Sequence, residues 1–270
     1  MGILMSKYFK RIIQVHTNGL TINNSKLHIE FNVSFDDDHV PNRSIINIFN
    51  LSHDTKERIK EGQRLVLNAG YEGDVGVILD GRISAVWSDK AGTDRATHIR
   101  VVDEEGTLSK KTVKKSYKKN VASSTIIKDI ANAINLKLKV VDLPNDKVHK
   151  KGYSTSGKGV EAIKRIADDC GASFYPIRGE WYIRDIKKGD NINFTLSPDT
   201  GLLGIPEPFS KKYQNKTTKG FRVEALLQHK VKTASILKLN SRTVTGTFRV
   251  IGGKHIATEN DFQTHLEVVS

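Results

Sequence analysis

The 270-residue chain reads as α+β, mainly β: two β-rich flanks, each a barrel or sandwich, with a small α/β module between them. Three observations predict this. Segments rich in Val, Ile, Phe and Tyr that alternate apolar and polar residues fill the first hundred or so positions and return after Asn191. Helical periodicity over several turns occurs only in the stretch between them. Turn residues punctuate both flanks at short intervals, which suits an all-β layout. The length fits about two domains, and the segment boundaries fall at 1–105, 106–189 and 190–270.

The elements justify this in order. RIIQVHT, KLHIEFNVSF and SIINIFNL have the strand pattern, with DDDHVPNR as a surface turn between the last two. NLSHDTKERIKEG reads as a short helix. Ser52 caps its orphan N–H groups, Asp54 and Glu57 suit its positive start, and Gly62 suits its end. QRLVLNAGY, GVILDGRISAVWS and ATHIRVVDE follow as three strands joined by EGDV and DKAGTD. SSTIIKDIANAIN is helical, with Ile126, Ile127, Ile130, Ala131 and Ile134 on one face and Ser123 or Ser124 as the cap. GKGVEAIKRIADDCG is a second helix, with Val160, Ile163, Ile166, Ala167 and Cys170 inward and Gly171 as its stop. ASFYPIRGEWYIRDI reads as a hairpin turning at Arg178-Gly179. INFTLS, GFRVEALLQHKV, SILKLNS, GTFRVIGGKHI and QTHLEVVS are the strands of the second flank. PDTGLLGIPEPFSKKYQNKTTK, with three of the six prolines, is expected to be a long loop. The two flanks look like one architecture used twice.

Charge is unevenly spread. Residues 1–105 hold 13 Lys/Arg and 15 Asp/Glu, a net of −2; residues 106–165 hold 15 and 4, a net of +11; residues 166–270 hold 15 and 11, a net of +4. The basicity therefore belongs to the middle segment. Within it KKTVKKSYKKN places Lys110, Lys111, Lys114, Lys115, Lys118 and Lys119 in three pairs. As a strand, Val113 and Tyr117 share a face and the lysines reach for water, as a solvated face or one meeting an acidic partner. The same lysines could instead follow a phosphate backbone, with Tyr117 stacked on a base. No helix-turn-helix, zinc-finger or RNA-recognition motif accompanies them.

The usual signatures of chemistry are missing or broken. GYSTSGKG (Gly152–Gly159) nearly matches the phosphate-loop pattern, but Gly159 stands where the Mg²⁺-binding hydroxyl belongs, so a loop leading into the helix is expected. The nine histidines show no metal-ligand spacing, and Asp36, Asp37 and Asp38 are consecutive, unlike the alternate ligands of a calcium loop. Cys170, the single cysteine, excludes an intrachain disulfide and reads as a buried apolar residue. Asp168 and Asp169 suit ion pairing with Lys164 or Arg165. No serine lies in G-x-S-x-G. No catalytic residue, cofactor or metal is expected. The start, MGILMSKYFKRIIQVHT, lacks a signal-peptide core, and no apolar run is long enough to anchor the chain in a membrane. Gly2 with Ser6 loosely fits a myristoylation pattern.

NLSHDTKERIKEGQRLVLNAGYEGDVGVILDGRISAV (Asn50–Val86) resembles the first barrel of bacteriophage tail hub proteins, on Asn50-Leu51-Ser52, Gly62, Ala69-Gly70-Tyr71 and Gly81-Arg82-Ile83. The family's α/β module is echoed by SSTIIKDIANAI and GVEAIKRIADDCGASFYPIRGEWYI, and its second barrel by TGLLGIPE, KGFRVEALLQHKV and GTFRVIGGKHI. Where such hubs commonly carry His-x-Gly-Asp, this chain has His255-Ile256-Ala257-Thr258. The family is similar to the first half of the type VI secretion spike protein. The resemblance implies a non-enzymatic hub at the virion tail tip, assembled in the bacterial host cytoplasm. Each chain would supply two tube-type β-barrels. A homotrimer would then offer six barrels to a tail tube or distal tail protein and a threefold face to a central spike protein, with DNA only in transit through the lumen. The lysine pairs are then expected on the outer side of the ring. The chain's end at Ser270, just after the second barrel, implies no appended cell-wall hydrolase. The alternative is a nucleic-acid-binding protein that uses the lysine-rich 106–165 segment.

Overall fold

The computed structural model describes residues 8–103, 110–177, 179–213 and 216–270. Gly2, Ser6 and Arg178 lie outside these, as does the Glu104 end of ATHIRVVDE. The chain is mainly β, with about 59% of it in strands and 12% in helices.

The first flank contains β1 (Arg11–Thr17), β2 (Leu20–Asn23), β3 (Ile29–Asp36), β4 (Arg43–Phe49), α1 (His53–Glu57), β5 (Arg64–Tyr71), β6 (Asp74–Ala91) and β7 (Asp94–Val102). Its strands pair antiparallel in the order β2-β1-β5-β6-β7-β4-β3. Alternation sets the buried face: Ile13, Val15 and Thr17 point inward from β1, and Leu65, Leu67 and Ala69 from β5. The strand pattern alone does not mark β2, but Asn18 and Gly19, both at positive φ, make the two-residue turn that brings it back onto β1. Ala69–Ser84 is the end of β5, the turn at Gly73 and the first part of β6. The α1 helix is capped as expected, Ser52 Oγ accepting from the Thr55 N–H.

The middle segment contains β8 (Thr112–Tyr117), β9 (Val121–Ala122), α2 (Ser123–Ala133), β10 (Leu138–Val141), β11 (Val148–His149), β12 (Tyr153–Lys158), α3 (Gly159–Asp169), β13 (Ala172–Ile177) and β14 (Glu180–Asp185). The inward residues of both helices are buried as their spacing predicts, and they pack over Phe174 and Trp181, whose rings lie 4.6 Å apart. The start of α2 departs from expectation. Ala122 is its N-cap residue, and neither Ser123 nor Ser124 caps it. Asp146, from the loop before β11, accepts instead from the Ser124 N–H and hydroxyl.

The second flank contains β15 (Asp190–Leu196), β16 (Leu202–Tyr213), β17 (Lys216–Leu226), β18 (Ser235–Asn240), β19 (Thr245–Ala257) and β20 (Phe262–Val269). The expected long loop over 198–219 is mostly β16, paired with β17. Its prolines mislead because β16 ends the pairing path and has a neighbour on one side only, so Pro206 and Pro208 remove no ladder bond on the open side. Between Leu203 and Glu207 the strand also bulges, with Gly204 at positive φ.

The flanks do not stand as two separate closed barrels. They share one 13-stranded sheet, joined where Gly252–Ala257 of β19 pairs antiparallel with Phe31–Asp36 of β3. The path ends at β2 and β16, and no ladder among the described residues returns to close it. The physical reason lies in β19. Its first half pairs with β18, its register slips between Val250 and Gly252, and its second half turns to β3. Two adjacent glycines accommodate the slip; a Cβ on Gly253 would run into the His265 carbonyl. The cores follow the same geometry. Ile46, Ile48, Leu67 and Ile99 fill the first, which Leu227, Ala257 and Phe262 of the second flank complete; Val250, Leu237 and Val268 belong to another core.

Candidate docking surface and the junction of the three segments

β8 and β12 form an antiparallel two-stranded ribbon, with Lys114 opposite Ser156 and Thr112 opposite Lys158. GYSTSGKG is therefore largely strand, not the expected loop. Ser156, Gly157 and Lys158 pair along β8, and the Gly159 N–H donates to the Lys111 carbonyl. A phosphate loop instead curls so that successive N–H groups converge on the anion. Gly159 has a packing role: a Cβ there would lie 2.7 Å from Ile134 Cγ2, so glycine lets α3 approach α2.

The ribbon sorts the six lysines. Val113, Lys115 and Tyr117 face inward, toward α2. Lys115 Nζ donates to Asp129 Oδ2 at 2.6 Å and the Tyr117 hydroxyl donates to the same oxygen at 2.7 Å. These two bonds hold the Asp129 carboxyl below its usual range, while burial, then Asp129 itself, pushes Tyr117 up. Lys111 Nζ donates to the Ile134 carbonyl at the end of α2, 2.7 Å away. Lys110, Lys114, Lys118 and Lys119 are exposed. The set therefore divides in function: Lys111 and Lys115 tie the ribbon to α2, and the other four face water. The sequence pairs do not reveal that Lys158, across the ribbon, joins the exposed group.

The three segments meet at a buried ion pair. Asp37 Oδ2 accepts from Arg249 Nη1 at 2.7 Å, with both side chains almost fully buried. Arg249 Nε donates to the Lys188 carbonyl, its guanidinium lies 5.8 Å from the Tyr175 ring centre, and the Ser173 hydroxyl reaches Asp37 at 3.5 Å. The triple aspartate is thus only partly the expected surface turn. Asp38 is exposed and Asp36 half-buried, but Asp37 is drawn inward because Arg249 waits there.

Burial, with Asp38 adding to it, raises the Asp36 carboxyl to about 6, and burial raises Asp103 to about 6 although Asn42 donates to it twice. His255 is enclosed in β19, bonded to the Thr264 hydroxyl at 2.9 Å, and desolvation lowers it to about 3, so it is neutral. Cys170 is buried, and Asp168 pairs with Lys164. No group of three or more His, Cys, Asp or Glu among the described residues could hold a metal ion. A groove of about 490 Å³ crosses β16, β17, β20 and β19, lined by Ile205, Val223 and Leu266 with Arg222 and Glu267 at its polar side.

No family model and no curated protein matches the chain. Solved structures do. The tail protein from Neisseria meningitidis MC58 superposes with a TM-score of 0.66 at 12% identity, covering 97% of each chain. The 43 kDa tail protein of prophage MuSo2 from Shewanella oneidensis gives 0.67 at 8% identity, covering 96% of this chain and 98% of that one. An E. coli component of the type VI secretion system, described as structurally similar to the T4 bacteriophage tail proteins gp27 and gp5, gives 0.62 at 11% identity, covering 94% of this chain and 76% of that one. The chain has the fold of these proteins over nearly its whole length.

Proposed function

We propose, from a fold shared end to end with phage tail and type VI secretion proteins, that this chain is a non-enzymatic structural hub at the tip of a phage tail or related injection particle. The observation that carries the reading is the superposition on the Neisseria tail protein, which covers 97% of each chain. In this reading three chains close a ring by rotational symmetry. Each contributes its two flanks, residues 1–105 and 190–270, as tube-type units, so the ring offers six similar units to the tail tube and a threefold face to a central spike. The middle segment, 106–189, sits to the side. A sheet that runs unbroken from β16 to β2 supports this, because it holds the two flanks at a fixed angle, as one wall of a tube requires.

Catalysis has little to stand on. The phosphate-loop lookalike is a strand, Cys170 is buried, and Asp168 of the acidic pair on α3 is engaged with Lys164. The experiment is antibody labelling of intact particles from the bacterium that encodes the chain. Label at one end of the tail is expected. Intact, infective particles from a strain lacking the chain would overturn the reading.

A further inference from the structure

We infer that the outer face of the β8–β12 ribbon docks an acidic protein surface, with carboxylates meeting Lys114 and Lys158. The face is exposed. Lys114 and Ser116 project from β8, and Ser154, Ser156 and Lys158 from β12. Their inward neighbours, Val113 and Thr155, are buried, so the alternation fixes which side chains face out. Among the described residues no carboxylate pairs with Lys114, Lys118, Lys119 or Lys158. Lys26, Lys90 and Lys238 are also exposed without such a pair; what sets the ribbon apart is that Lys114 and Lys158 share one face of two paired strands. Like charges gathered on one small ribbon repel each other, and no ion pair among the described residues offsets this at Lys114 or Lys158. An external anion does.

The chemistry favours carboxylates over nucleic-acid phosphates. Residues 106–165 contain 14 lysines and a single arginine, Arg165, so guanidinium planes that could stack on bases are nearly absent. Arg165 leans toward Thr155 on the inner side of the ribbon. No aromatic ring is offered to a base: Tyr117 is held by Asp129, and the Tyr153 ring packs 4.8 Å from His149.

The inference gives a partner chemistry to the proposed hub and rests on the chain being an assembly component. Its test is nevertheless separate. Fluorescently labelled poly-L-glutamate and a DNA duplex of matched charge are titrated with the full chain at low and physiological salt. Poly-L-glutamate is expected to bind, more weakly as salt rises. Lys114→Ser with Lys158→Ser is expected to weaken it on the order of tenfold, since each exposed ion pair contributes modestly. A control, Lys137→Ser with Lys139→Ser, is expected to leave binding unchanged, and melting curves establish that both variants fold. Equal loss in the control, tighter binding of the duplex, or no binding at physiological salt would each overturn the inference. Ring formation by the double variant, read by electron microscopy of particles, reports on the hub reading alone.

Discussion

Three residues decide much of the local argument. The first is Gly159. Changing Gly159→Ser completes the phosphate-loop pattern on paper. It also adds atoms where Ile134 Cγ2 is already 2.7 Å from a Cβ. The expected result is a loss of about 1–3 kcal/mol by denaturant titration, the usual range for overpacking, and no ATP or GTP binding by calorimetry. The second is Arg249. Removing one partner of a buried ion pair leaves the other charge uncompensated, so Arg249→Ala should cost about 3–5 kcal/mol. Urea unfolding of the full chain measures this, and a loss below 1 kcal/mol would mean that the junction is not under the load described. The third is Asp36. Its carboxyl titrates near 6 in the folded chain against an ordinary 3.8, so the folded state holds the proton longer. Its contribution to stability is therefore largest below its ordinary pKa and declines as pH rises between about 4 and 6. Asp36→Asn should flatten part of that decline and raise the melting temperature at neutral pH relative to pH 4. The sequence could not show Asp37 turning inward, because its reason, Arg249, lies 212 positions away.

At the scale of elements, the legible parts are those whose cause is local. The inward faces of α2 and α3, the Ser52 cap of α1 and most strands follow from spacing over a few residues. What is not legible has a distant partner. Asp146 takes the capping place expected of Ser123 or Ser124, from 22 positions further along the chain, beyond α2 and β10. Asp146→Ala should cost about 1 kcal/mol, the usual worth of an N-cap; Ser124→Ala should cost less, since the Ser124 N–H still finds Asp146. Thermal melts of the two variants decide between them. β16 hides behind its prolines for a related reason. Whether proline is tolerated in a strand depends on whether that strand lies at the edge, and edge position is a property of the finished sheet. The Asn18-Gly19 turn, by contrast, carries a readable hairpin signal, and β2 follows from it.

For the whole molecule, the composition separates a basic middle from two less charged flanks, and the mainly β character follows from alternation. The join between the flanks does not, because no local pattern says that β19 will leave β18 for β3 halfway along. That join is what makes the molecule one wall instead of two separate units, and the hub reading depends on it. The lysine set shows the same limit: six residues adjacent in sequence split between an internal tie and an outer face, and Lys158 enters from another strand. The most direct test of the account is a three-dimensional reconstruction of the tail tip in the intact particle. The account predicts three copies of this chain around the channel, their flanks alternating as six similar units and Lys114 and Lys158 turned away from the lumen. A single copy, a position off the tail axis, or these lysines lining the channel would contradict it.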